Sequence, residues 1–129
     1  MVKAAPCVLA ALSLLACTRG PTLDSLAYPG ARVVIDREVT GRTMAFHYRC
    51  YATSDAVAMV TAHYDAEPGL THGTFRVAAG EAGFAARRDP DLHVAVFPAE
   101  SLPQHRQCEG SLAAGDRTVV QVTAGRPAP

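Results

Sequence analysis

The chain has 129 residues, with 12 basic and 12 acidic side chains and a formal charge of zero. That balance excludes the basic surplus expected of a nucleic-acid binder, and the length suits one small domain. Lys3 is the only lysine, and arginine without lysine beside abundant alanine points to a GC-rich genome rather than to a partner.

Met1-Val2-Lys3 is a short positive start, and AAPCVLAALSLLA (4–16) carries no charge. This is the build of a secretory signal, a cationic n-region followed by an apolar h-region. A membrane-crossing helix needs roughly 18 or more apolar residues, so this run is too short to span. Ordinary signal peptidase takes small residues at −3 and −1, and a cut after Ala16 puts the bulky Leu14 at −3. Leu14-Leu15-Ala16-Cys17 instead resembles the lipobox of bacterial lipoproteins: an aliphatic residue at −3, a small one at −1 and cysteine at +1.

The resemblance implies that 1–16 is a signal peptide removed before Cys17. The Cys17 sulfur would carry a diacylglycerol, and the new amino terminus is often acylated as well. Each buried methylene contributes roughly 0.8 kcal/mol, so two or three chains would hold the protein on a membrane. Thr18 stands at +2, where aspartate retains many Gram-negative lipoproteins in the inner membrane. By resemblance, the protein belongs in the outer membrane facing the periplasm. The lipobox stops at Cys17 and implies nothing about the domain.

After removal of 1–16, eleven arginines face twelve carboxylates, a formal charge of −1. Cys50 and Cys108 are then the remaining cysteines besides Cys17. In an oxidising compartment a disulfide is the default for such a pair, with two buried thiols as the alternative. The chain-entropy account gives a bridge closing so long a loop about 4 kcal/mol.

Residues 17–30 are rich in Pro, Gly, Thr and Ser and read as a lipidated terminus with a flexible tether. Extended, the thirteen residues 18–30 would reach roughly 40 Å. Residues 31–125 read as the domain. A hairpin is predicted over 31–52, with Thr40-Gly41 as a two-residue turn that sets Ile35 opposite Phe46 and Val33 opposite Tyr48. Its second strand alternates: Met44, Phe46, Tyr48 and Cys50 on an apolar face, and Thr43, His47, Arg49 and Tyr51 on the other.

A helix is predicted over 53–66, capped by Thr53 or Ser54, with Ala56, Val57, Val60 and Tyr64 on its apolar stripe and Ala58 and Asp65 opposite. Strands follow at 73–79, 81–88, 92–99 and 117–124, with a turn at Gly80 and a loop over 100–115. Residues 126–129 read as a disordered tail. The order β-β-α-β-β-β-β gives an α+β fold, an antiparallel sheet of five to six strands packed on one amphipathic helix in two layers. The sheet face away from the helix is expected to be wet.

Candidate chemistry is sparse. His47, His63 and His72 lack ligand spacing, and no C-x-x-C is present, so no metal and no cofactor is expected. Ser54-Asp55 and His63 are too far apart along a helix for a nucleophile and its base, and no G-x-S-x-G occurs. The glycines match neither a P-loop nor a dinucleotide fingerprint. Arg87-Arg88 reads as a solvated strand end. The outward row Thr43, His47, Arg49 and Tyr51 mixes residues favoured in interfaces and is the expected partner-binding face. The leading class is a lipid-anchored, non-catalytic envelope module that binds another envelope protein or an envelope polymer. The alternative is a small envelope enzyme or metal-handling protein.

Overall fold

The computed structural model describes residues 20–73 and 77–129. Its elements are β1 (Arg32–Thr40), β2 (Met44–Thr53), α1 (Val57–Asp65), β3 (Leu70–His72), β4 (Ala82–Ala86), β5 (Leu92–Pro98) and β6 (Thr118–Pro127). Two short 3-10 helices, Ala99–Gln104 and Arg106–Cys108, lie between β5 and β6. The strands make one open, six-stranded antiparallel sheet in the order β1-β2-β6-β5-β4-β3. The fold is α+β, with α1 the one α-helix among the described residues.

Alternation along β6 supplies both sides of the sheet. Val120 and Val122 are fully buried on one side, with Tyr51, Phe84, Leu92, Val94 and Val96. Val60 and Tyr64 of α1 are buried in that same cluster with half-buried Val57 beside them, while Ala58 and Asp65 are exposed; Ala56 of the expected stripe stands outside the helix as its N-cap. Val119 belongs to a smaller cluster on the other side, with Cys50, Phe97 and Cys108. Cys50 and Cys108 are joined by a disulfide with their Cα atoms 5.7 Å apart. It fastens the 3-10 segment across one end of that face.

Several local expectations are corrected. Gly41-Arg42-Thr43 forms the β1–β2 loop, and Gly41 N–H donates to the Met44 carbonyl at 2.7 Å. A two-residue Thr40-Gly41 turn of the favoured kind would need positive φ, and Gly41 does not take it. Ile35 therefore faces Cys50 and Val39 faces Phe46, a slip of four residues from the expected pairing. An even slip leaves every side chain on its own face, so alternation could not distinguish the two registers. The irregularity between Val33 and Ile35 sets Val33 opposite Tyr51.

Helix α1 begins later than expected. Ala56 is its N-cap, without a side-chain cap, and Thr53 is still in β2, its hydroxyl accepting from the Asp55 N–H. The third strand is Leu70–His72, earlier than 73–79, because Leu70 is buried opposite Ala86 directly after the Pro68-Gly69 turn. Residues 77–79 are not strand, and 74–76 of the expected strand lie outside the described residues. Gly80 takes a φ of 81°, as a turn glycine should. At the C-terminus, Gly125, Arg126 and Pro127 continue β6 opposite Phe46, Ala45 and Met44, where a disordered tail was expected from 126.

The largest correction concerns 20–30. These residues are docked on the domain. Thr22 and Ser25 close a turn on each other: the Thr22 N–H donates to Ser25 Oγ at 2.7 Å and the Ser25 N–H to Thr22 Oγ1 at 3.1 Å. Leu26 is 1% exposed and Tyr28 7%, both in the main cluster. The Tyr64 hydroxyl donates to the Leu26 carbonyl and the Tyr28 hydroxyl to Asp55 Oδ2, each at 2.7 Å. Burial and the Asp55 carboxylate push the Tyr28 phenol up to about 12. Composition marked the segment as loop-like, but two apolar side chains two residues apart were enough to anchor it.

Asp116 ties the 111–116 loop to β1. It accepts from Arg32 Nη2 and from the Ala113 N–H, each at 2.7 Å. The Arg32 hydrogen bond holds its carboxyl below the ordinary range despite partial desolvation.

Leu26→Ala should cost about 2–5 kcal/mol in chemical denaturation, the range for a fully buried leucine, whereas a free tether would register nothing. Val60→Asp should destabilise by several kcal/mol because it buries an unpaired charge, while exposed Ala58→Asp should stay within about 0.5 kcal/mol. Asp116 contributes stability above the ordinary carboxylate range, and that contribution is lost as pH falls through its depressed folded value. The denaturant-midpoint gap between wild type and Asp116→Asn should therefore shrink between about pH 7 and about pH 3.

Candidate functional site

Of the four expected residues, His47, Arg49 and Tyr51 share one side of β2, as alternation requires, but not one environment, and Thr43 precedes the strand. Thr43 is exposed in the loop, and its carbonyl accepts from the Ala128 N–H at 3.0 Å. His47 and Arg49 are half-buried and converge on Asp36 of β1. His47 Nε2 bonds Asp36 Oδ1, and Arg49 Nε donates to Asp36 Oδ2 at 3.0 Å. Arg49 Nη1 reaches on to Asp24 Oδ1 at 2.6 Å, so the cluster links β1, β2 and the docked N-terminal segment. The His47 hydrogen bond, ahead of the nearby Arg49 charge, holds the Asp36 carboxyl below its usual range. The bond to Asp24 raises the Arg49 guanidinium above its usual value.

Tyr51 lies elsewhere in character. It is 4% exposed, opposite Val120, in the same cluster as Val60 and Tyr64 of α1. The expectation that it points outward on a wet face is corrected. Alternation separates the two faces of β2, but it cannot say which one the helix covers.

The other side of β2 was expected to be buried, yet only Cys50 and Ala52 there are fully so. Phe46 and Tyr48 are half-buried, their rings 6.4 Å apart and inclined by 29°. The Phe46 ring lies over Gly125, where an added Cβ would come within 2.8 Å of Cε1. Tyr48 faces Thr123 on β6, and Thr123 faces His93 on β5. A shallow hollow of about 240 Å³ is lined by His93, Ala95, Gln121 and Thr123. Gln121 Nε2 donates to Thr123 Oγ1 at 3.2 Å. A phenol, a hydroxyl, an imidazole and an amide thus stand on one partly open face beside aromatic surface. Its signal in the sequence was the pair of predicted strands 92–99 and 117–124, read without knowing that they flank one another.

Other sequence candidates are dispersed. Ser54 is exposed, and the His63 ring packs edge-on to Tyr28 and Tyr64. His72 Nδ1 pairs with Asp65 Oδ1 at 2.7 Å. His105 bonds Glu81 at 2.9 Å and stacks on Phe97. Among the described residues, no group of three His, Cys, Asp or Glu side chains is placed to hold a metal ion. Arg87 and Arg88 border an open cleft of about 710 Å³, together with Pro21, Glu67 and Gly69. The signal peptide 1–16 and Cys17 lie outside the described residues. No family model, no curated protein and no solved structure matches this chain.

Tyr51→Ala should lower stability by about 3–5 kcal/mol, the cost of emptying a fully buried aromatic site. Thermal and chemical unfolding of the purified variant would read this directly, and a change under about 0.5 kcal/mol would return Tyr51 to the surface.

Proposed function

We propose that this chain is a lipid-anchored protein of the bacterial envelope and that its domain is a non-catalytic binding module for another envelope protein or polymer. The observation that carries the reading is Leu14-Leu15-Ala16-Cys17 at the end of a short uncharged run. Acyl chains on Cys17 hold the protein in the outer membrane, facing the periplasm. A Cys50–Cys108 disulfide suits that oxidising compartment.

In this reading the architecture has two layers, α1 over one face of the sheet, and the second face serves the partner wherever 99–112 does not cross it. Support for that choice is the half-buried row Tyr48, Thr123 and His93 beside the Gln121 hollow. Of the four residues first expected to bind, Tyr51 is buried, and His47 and Arg49 are engaged with Asp36 and Asp24.

Intact-mass measurement of protein extracted from membranes should show loss of residues 1–16 and added acyl mass, and Cys17→Ala should abolish both the acyl mass and membrane retention. A soluble wild type cut at another position would refute the anchor. A photo-crosslinking side chain at Tyr48 should capture an envelope component that the same group at exposed Ala58 does not. Equal capture at both would refute the binding face.

A further inference from the structure

We infer that one end of the sheet is held against the lipid surface, so that the domain is seated on its membrane and is not hung from a long tether. This rests on lipidation of Cys17 as proposed above. Its physical basis is covalent reach. Thr18 and Arg19 alone separate Cys17 from Gly20, so the Cα atoms of Cys17 and Gly20 can be no more than roughly 11 Å apart, whatever path the chain takes.

From Gly20 onward the chain is fixed to the domain. Pro21 packs so closely on Gly69 that a Cβ there would come within 2.4 Å of the Pro21 ring. The Thr22–Ser25 turn follows, then buried Leu26 and Tyr28. The anchor therefore enters at a defined place. Gly69 accepts from the Arg87 N–H at 2.9 Å, and Arg87 directly follows β4, so the entry point lies at the end of the sheet that carries the β4–β5 turn. The 41–43 loop is at the same end, since β2 starts where β4 finishes in this antiparallel sheet. Gly80 and the 111–116 loop are at the opposite end. Strand β5 has seven residues, which separates the two ends by roughly 20 Å.

The facing surface suits lipid headgroups. Arg42 is exposed there and can meet phosphates, and Arg87, whose Nε donates to the Pro68 carbonyl at 3.1 Å, is exposed at the same end. Glu67, Asp89 and Asp91 share that end, so covalent reach rather than net charge carries the inference. The proposed binding row Tyr48, Thr123 and His93 runs across the strands close to the seated end.

The test uses the acylated full protein in vesicles of phosphatidylethanolamine and phosphatidylglycerol that contain a headgroup-nitroxide lipid. One thiol is introduced at Pro90→Cys, in the β4–β5 turn, or at Ala114→Cys, at the far end, and labelled with a fluorophore. Quenching should be several-fold stronger at residue 90 than at residue 114. A Gly-Ser insertion between Arg19 and Gly20 should bring the two labels toward equal quenching. Equal quenching in the acylated protein without the insertion would overturn the seating while leaving the anchor intact. A difference that survives the insertion unchanged would show that short reach is not its cause, and would also overturn it. Absence of acyl mass would remove the anchor itself and the seating with it.

Discussion

The pairing of β6 between β2 and β5 is the contact on which both hydrophobic clusters depend. Val120 and Val122 enter the cluster that holds α1 and Leu26, and Val119 enters the cluster around the disulfide. Because β6 is the last strand in the chain but third in the sheet, the N-terminal hairpin and the β3–β5 meander meet only when it is in place. Buried Thr118 adds a further tie, its hydroxyl donating to the Asp55 carbonyl at 2.6 Å, just ahead of α1. Many of the contacts that define the fold are therefore remote in sequence, and their closure entropy must be overcome before burial rewards them.

The docked segment 20–30 changes the meaning of the N-terminus. Its polar, glycine- and proline-rich composition satisfies the ordinary description of a linker. Leu26 and Tyr28 nevertheless fill the edge of the main cluster, and Arg49 reaches across to Asp24. Asp24 is largely exposed, so that ion pair contributes little; the two buried side chains and the Tyr64 hydrogen bond carry the docking. A proposed lipid anchor attached to such a segment transmits position as well as attachment.

The two faces of β2 show how far alternation reaches. The sequence marks Met44, Phe46, Tyr48 and Cys50 as one set and Thr43, His47, Arg49 and Tyr51 as the other, and the structure keeps both sets on their own faces except Thr43, which lies in the loop. It then divides each set along its length. Cys50 and Tyr51 are buried near one end of the strand, on opposite faces, while Phe46 and His47 are half-buried toward the other. What covers each position comes from outside the strand: 99–112 over Cys50, and α1 with 26–28 on the side of Tyr51.

By itself, the sequence determined what depends on near neighbours: five of the six strands close to their places, one helix with Val60 and Tyr64 turned inward, and the Gly80 turn; the pairing of Cys50 with Cys108 came from the cysteine count once export is assumed. The resemblance of Leu14-Leu15-Ala16-Cys17 to a lipobox was legible in the same way, as a contiguous run of residues. Tertiary structure alone decided the strand order, the four-residue register slip in the first hairpin, the docking of 20–30 and the choice of which face of β2 lies under the helix. The physical reason is periodicity. A side-chain repeat of two residues fixes which residues share a face, but it is unchanged by an even slip and blind to which remote segment covers that face. Only the free energy of packing the whole chain selects among those equivalent patterns.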